Sequence, residues 1–270
     1  MRKFLASASA VALLALAATG ANAQVRINEL LINAPGTDNG QEFLELLSDT
    51  PNFSLNNIFF LSIDGDGGAS GTIDQVVSLT AFSTGANNHF LLRDSNTVLN
   101  PAPLPDTNVA VQDFDPDLEN GSNTFALVLG FTGSVGDDLD TNGDGSLDST
   151  PWTSVIDVVA WTDGGATDFV YNLGFAGANI FGGSGFTPDA YVVVDGDGYY
   201  MDVLGTTPGP YTFAGTENTF PAGATLTTDT LTPGGLNPRF ITSAAAPEPG
   251  TFALLGMGAL AFGVVARRRK

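Results

Sequence analysis

An all-β fold, an antiparallel sandwich or barrel, is what this sequence predicts, and three observations predict it. Short apolar runs recur through the middle of the chain, Gly, Asp, Asn and Pro separate them, and no segment sustains a helical period across three turns. The chain has 270 residues, 43% of them hydrophobic, with 33 Gly, 15 Pro and no Cys. That apolar fraction excludes a disordered or fibrous chain, and the absence of a repeat or of an early linker favours one domain.

Candidate strands follow in order: 25–33, 42–47, 57–63, 75–79, 89–93, 124–131, 154–161 and 190–195. In the third, Phe59, Leu61 and Ile63 put apolar groups on one face. In the sixth, Phe125, Leu127 and Leu129 share a face, with Ala126 and Val128 opposite. Asp64-Gly65-Asp66-Gly67 and Asp195-Gly196-Asp197-Gly198 read as hairpin turns, and weakly as ion sites. Asp113-Phe114-Asp115-Pro116-Asp117 is similar.

Charge is segregated. Arg2 and Lys3 open the chain and Arg267, Arg268, Arg269 and Lys270 close it, while 28 acids between residues 24 and 246 face only Arg26, Arg93 and Arg239. A body carrying a formal charge of −25 repels phosphate backbones, which excludes nucleic acid as a partner and favours cations. Of the acids in the whole chain, 23 are Asp and 6 are Glu, a bias toward turns and oxygen-ligand loops. Without Cys there is no disulfide, zinc-thiolate site or thiol nucleophile.

Both ends read as addresses. Met1-Arg2-Lys3, an apolar run from Phe4 to Ala18, and Ala21-Asn22-Ala23 form a secretory signal cut by signal peptidase before Gln24. At the other end stand Pro247-Glu248-Pro249, an apolar run from Gly250 to Ala266, and the basic terminus Arg267-Arg268-Arg269-Lys270. Seventeen residues at about 1.5 Å rise cover about 25 Å, a marginal membrane span whose basic end stays cytoplasmic. This tripartite tail resembles the PEP-CTERM sorting signal of Gram-negative bacteria. The resemblance implies recognition by an exosortase-type membrane enzyme near Pro247-Glu248-Pro249. It further implies a transient anchor in the inner membrane, removal of the helix, and delivery to the outer surface or extracellular matrix.

The body carries a second resemblance. Arg26-Ile27-Asn28-Glu29-Leu30-Leu31-Ile32-Asn33, then Gly36-Thr37-Asp38-Asn39-Gly40, then Glu42-Phe43-Leu44-Glu45-Leu46 resembles the opening of the lamin-tail domain. Asn88-His89-Phe90-Leu91-Leu92, Asn123-Thr124-Phe125-Ala126-Leu127, Thr187-Pro188-Asp189-Ala190 and Thr232-Pro233-Gly234-Gly235-Leu236-Asn237 follow the family's later segments in order. The sequence departs from the family pattern where Phe59 or Phe60 replaces a Trp and where an Arg after the Pro-Asp-Ala segment is missing. The resemblance implies an immunoglobulin-like antiparallel β-sandwich over 24–238, flanked by an N-terminal signal helix over 1–23 and, after a linker over 239–246, a C-terminal hydrophobic helix within 247–270. It also implies an association role without catalytic residues, with Glu29, Glu42 and Glu45 making structural hydrogen bonds.

One loop has ligand spacing. Asp140-Thr141-Asn142-Gly143-Asp144-Gly145-Ser146-Leu147-Asp148 follows the first nine positions of an EF-hand calcium loop, inside an Asp/Gly-rich insertion over 137–148. Calcium takes six to eight oxygens, so Asp140, Asn142, Asp144 and Ser146 converge on it, Gly145 permits the turn, and Asp148 adds a ligand through water. Pro151 stands where the bidentate Glu belongs, which moves affinity toward about 10⁻⁴ to 10⁻³ M, and Asp137 or Asp138 is available to complete the shell. The competing reading is a solvated Asp/Gly-rich turn.

Catalytic motifs are absent: His89 is the single histidine, no lysine lies in the body, and neither a G-x-S-x-G elbow nor a P-loop occurs. The expectation is therefore a non-enzymatic exported surface or matrix protein stabilised by calcium, meeting surface proteins or matrix polysaccharide. Two rivals remain: a carbohydrate-binding module using Trp152 or Trp161, and a secreted metal-dependent hydrolase using clustered carboxylates.

Overall fold

The computed structural model describes residues 24–36, 39–94, 99–182, 187–206, 208–216 and 219–242. The expected signal helix and C-terminal hydrophobic helix, with Ala21, Ala23, Pro247, Glu248, Pro249 and Arg267 to Arg269, lie outside the described residues. Among those described, no helix is long and apolar enough to cross a membrane.

The strands are β1 (Val25–Leu31), β2 (Phe43–Ser48), β3 (Ile58–Asp64), β4 (Ile73–Ser78), β5 (His89–Arg93), β6 (Asn108–Val111) and β7 (Asn123–Leu129). They continue with β8 (Ser154–Trp161), β9 (Asn179–Phe181), β10 (Ala190–Val194), β11 (Asp197–Leu204), β12 (Thr212–Thr216), β13 (Ala224–Leu226) and β14 (Phe240–Thr242). All eight expected strands are present with ends shifted by a few residues at most. Two sheets face each other as a sandwich, one ordered β12-β11-β10-β1-β2-β5-β6 and the other β4-β3-β7-β8-β9; β13 and β14 form a separate pair.

Between the sheets lies one core. Ile27, Leu44, Leu46, Phe90 and Tyr191 from the larger sheet meet Phe60, Phe125, Leu127, Val159 and Trp161 from the smaller. Its centre is aromatic: Phe125 stacks on Phe60 at 6.0 Å and meets Trp161 at 5.0 Å. The outer faces are also covered. Phe131, Trp152, Leu173 and Phe175 pack on Leu61, Ala126, Val128 and Val158 of the smaller sheet. Tyr211, Phe220, Leu231 and Phe240 pack over Leu31, Phe43, Val192 and Met201 of the larger. Double coverage explains why Ala190-Tyr191-Val192-Val193-Val194 is apolar throughout rather than alternating.

Two expectations need correction. The sheets are mixed and not antiparallel throughout, because β5 pairs β6 and β8 pairs β9 in parallel. Each parallel pair follows a long crossover, residues 94–107 and 162–178, which a parallel connection requires and a hairpin turn does not. The presumed linker from 239 also moves outward, since Phe240–Thr242 pairs with Ala224–Leu226 and Phe240 packs against Tyr199 and Phe220.

The central aromatic cluster yields a stability prediction. Phe125 is fully buried, so Phe125→Ala should cost about 3–5 kcal/mol in a urea titration, because the surrounding strands cannot collapse into the space left behind.

Candidate functional site

A bulge in β1 sets the chemistry of the larger sheet's outer face. Ile27 pairs with Leu46 but Glu29 pairs with Glu45, so Asn28 is an extra residue and the side-chain alternation resets after it. Val25, Ile27 and Leu30 consequently all reach the inner core, while Glu29 turns outward directly opposite Glu45. Like charges in that position repel, and both carboxyls are fully buried.

The segment Thr232–Asn237 covers and satisfies them. Thr232 donates its backbone N–H to both oxygens of Glu29, at 3.0 and 2.9 Å, and its hydroxyl to Oε1 at 2.7 Å. Gly234 N–H and Asn28 Nδ2 donate to the two oxygens of Glu45. Asn237 Nδ2 donates to the carbonyls of Val193 at 2.8 Å and Asn28 at 3.2 Å. Burial pushes Glu29 up to about 7 against the opposing Thr232 bonds, and burial followed by the Glu29 charge holds Glu45 well above the ordinary range. His89 is buried with Nδ1 donating to the Asn87 carbonyl at 2.8 Å, and Nε2 lies 3.8 Å from Glu45 Oε1. Its pKa is lowered, first by burial, and later causes include the charge of Arg26. Across the core, Asp157 accepts the Ile27 N–H at 2.8 Å, and burial raises its carboxyl to about 6.

Carboxylates converge at the opposite end of β2. Among the described residues three sets place their oxygens within 4.8 Å of one another: Glu42, Asp94 and Asp117; Asp64, Asp74 and Glu119; Asp66, Asp163 and Asp168. The segment 117–122 connects all three. It supplies Asp117 and Glu119, its Leu118 N–H donates to Glu42 Oε2 at 3.0 Å, and its Ser122 N–H donates to Asp66 Oδ1 at 3.1 Å. A Cβ at Gly121 would come within 2.0 Å of Asp66 Oδ2, so a larger residue there would displace that carboxylate from the Ser122 N–H. Burial, then the neighbouring carboxylates, raises Glu119 to about 7. Oxygen-only sets of this kind suit a hard divalent cation.

The expected calcium loop closes on itself. Asp140, only 2% exposed, accepts N–H groups from Asp144 at 3.1 Å and Gly145 at 2.8 Å, and the Tyr171 hydroxyl at 3.0 Å. Asn142 Oδ1 accepts from Asp144 N–H and Asp144 Oδ1 from Ser146 N–H, so alternate side chains fold over the loop. Gly145 takes φ +81, the left-handed turn expected of it. Asp148 is directed elsewhere, accepting the Thr141 hydroxyl at 2.5 Å, and Asp137 and Asp138 accept from Ser134 and Asp140 amides. The loop's carboxylates do not converge as the three sets do. The sequence does not show these sets because their members lie up to about a hundred residues apart; it marks Asp64, Asp66 and Asp117 only as turn acids and Glu42 only as a motif acid.

Of the two candidate sugar-stacking residues, Trp161 is wholly buried against Phe125 and Tyr200, so it packs the core. Trp152 is half-buried against the smaller sheet. Asp195-Gly196 forms the expected hairpin turn, with both residues at positive φ between β10 and β11.

Residues 245–270 match the PEP-CTERM protein-sorting motif. This signal marks the chain for export to the cell surface through recognition by an exosortase, a membrane enzyme. It spans Pro247-Glu248-Pro249 and the basic terminus, and begins three residues beyond the last strand. No curated protein and no solved structure matches the chain.

The buried pair fixes the direction of a pH dependence. Between about 4.5 and about 7 the folded state retains a proton on Glu29 that the unfolded chain releases, so the stability present below 4.5 is lost as pH rises through 7. Melting measured from about pH 5 to pH 8 should show a decline to which Glu29 contributes about 2–3 kcal/mol, with Glu45, Glu119 and Asp157 adding to it in the same direction, and Glu29→Gln should remove the Glu29 share.

Proposed function

We propose that this protein is a non-catalytic, exported surface module: a β-sandwich of lamin-tail type, stabilised by calcium and delivered to the outer surface or matrix of a Gram-negative bacterium. The observation that carries the reading is the junction of a sorting motif at 245–270 with a folded body ending in β14. The lamin-tail assignment draws support from the use made of its signature residues. Glu29 and Glu45, from the first two motif strands, bind Thr232 and Gly234 of the closing motif, a structural role for the acids. The single histidine is buried beneath the same segment, which supports a role without catalysis.

Calcium is favoured by the acid excess. A divalent ion in the Asp140–Asp148 loop, or in the carboxylate sets along 117–122, relieves repulsion in a body with a formal charge of −25. Asp140, Asn142, Asp144 and Ser146 would supply loop oxygens, and Asp148 would do so after releasing Thr141. On this reading the ion holds the insertion against β4 and does no chemistry.

Two experiments test the proposal. The melting temperature of the full chain in detergent should rise by about 3–6 °C on going from chelator to millimolar calcium. Asp144→Ala should remove the loop's share of that rise and Glu119→Gln the share of the 117–122 sets; no rise in any form rejects the calcium reading. A metal-dependent hydrolase would instead lose a measurable turnover in Asp144→Ala. In the native host, replacing Pro247, Glu248 and Pro249 with Ala should leave the chain membrane-bound with its tail uncut, as read by fractionation and mass. Normal release of that variant would reject exosortase processing at this motif.

A further inference from the structure

In a body with 28 acids and 3 arginines, every arginine has a surplus of potential partners. Arg239 pairs with Asp195 at 3.2 Å, and Arg93 donates to the Asp94 carbonyl. Arg26 is the exception: among the described residues its guanidinium makes no hydrogen bond and no ion pair. Asp157 and His89 lie near enough to feel its charge without touching it.

Arg26 opens onto a groove. Arg26, Leu47 and His89 are register partners across β1, β2 and β5, so they form one row on the outer face of the larger sheet. The Asn87-Asn88 turn stands on the β5 side of this row; on the β10 side are the Asp195-Gly196 turn and residues 236–239, which bring Arg239. Asn88, held at φ 73, has a side-chain amide with no hydrogen-bond partner among the described residues. Leu236 is 75% exposed at the rim, the most exposed large apolar side chain described.

An unpaired guanidinium, an open amide and an exposed apolar shelf are three different recognition elements on one concave surface. The guanidinium suits a planar carboxylate, which it can grip through two N–H groups. The amide suits hydroxyls, and the leucine suits the C–H face of a pyranose ring. A polyanion is disfavoured, because the groove offers one unpaired guanidinium, Arg26, beside an Arg239 already paired with Asp195, in a strongly negative field. A neutral sugar would leave Arg26 unanswered.

We propose that this groove binds a single carboxylated sugar, a uronate unit at an end or branch of an otherwise neutral glycan, with Arg26 on the carboxylate and Asn88 on ring hydroxyls. This goes beyond the surface-module reading by naming what the module holds, and it does not depend on calcium.

The test titrates glucuronic acid, glucose, acetate and a galacturonate oligomer into the full chain in detergent, with binding read by ligand-observed NMR. Glucuronic acid should bind saturably and at least ~10-fold more tightly than glucose or acetate, and Arg26→Gln should weaken it by at least ~10-fold. Arg26→Lys should recover part of the loss, and Asn88→Ala should weaken the sugar while leaving acetate unchanged. Equal binding of acetate would reduce the groove to a simple anion site and overturn the proposal, as would equal binding of glucose, stronger binding of the oligomer, or an unchanged Arg26→Gln variant. Leu236→Ser, at an exposed position, gives a second reading if Arg26→Gln fails to fold: undiminished binding there contradicts the shelf. Calcium-dependent melting of the same samples separates failure of the groove from failure of the module's stabilisation.

Discussion

Two glutamates that ought to repel each other organise this molecule. The extra residue Asn28 resets the side-chain alternation of β1, letting Ile27 and Leu30 both enter the core and turning Glu29 outward against Glu45. The resulting pair is buried, and its cost is offset only because Thr232, Gly234 and Asn28 supply donors to both carboxyls. The segment Thr232–Asn237 is thereby tied to the first two strands. Tyr211, Leu231 and Phe240 then cover a sheet face that would otherwise be an exposed apolar surface.

The acidic surplus is distributed by the same logic of satisfaction. Acids inside the fold accept backbone amides: Asp157 from Ile27, Glu42 from Leu118, Asp140 from Asp144 and Gly145. Three further sets of carboxylates gather around the 117–122 segment, which supplies Asp117 and Glu119 and donates backbone amides to Glu42 and Asp66. Arg26 stands on the face where β1, β2 and β5 meet the closing segment, which makes one groove chemically unlike the rest of the surface.

The address and the fold meet closely. β14 ends at Thr242 and the sorting motif begins at residue 245, so only two residues of sequence separate the last strand from the motif. The groove, lined in part by residues 236–239, is on the same closing region.

Much was determined by the sequence alone. Phe125, Leu127 and the apolar runs announced strands, since period-two burial is a local property; Asp195-Gly196 announced a turn, since positive φ is a local demand. The sorting tail was legible because a receptor reads it as linear order. The strands β6, β9 and β12 to β14 were not, being short, edge-placed or half-exposed, with no periodicity of their own; nor was β11, an inner strand whose first residues, Asp197 and Gly198, belong to the Asp/Gly turn signal. Only the tertiary structure decided that Glu29 faces Glu45, that Glu119 joins Asp64 and Asp74, and that Arg26 lacks an acid while Arg239 has one. The reason is physical: a bulge, a crossover and a buried pair depend on which distant segment arrives to supply the missing donor, and no window of neighbouring residues contains that information.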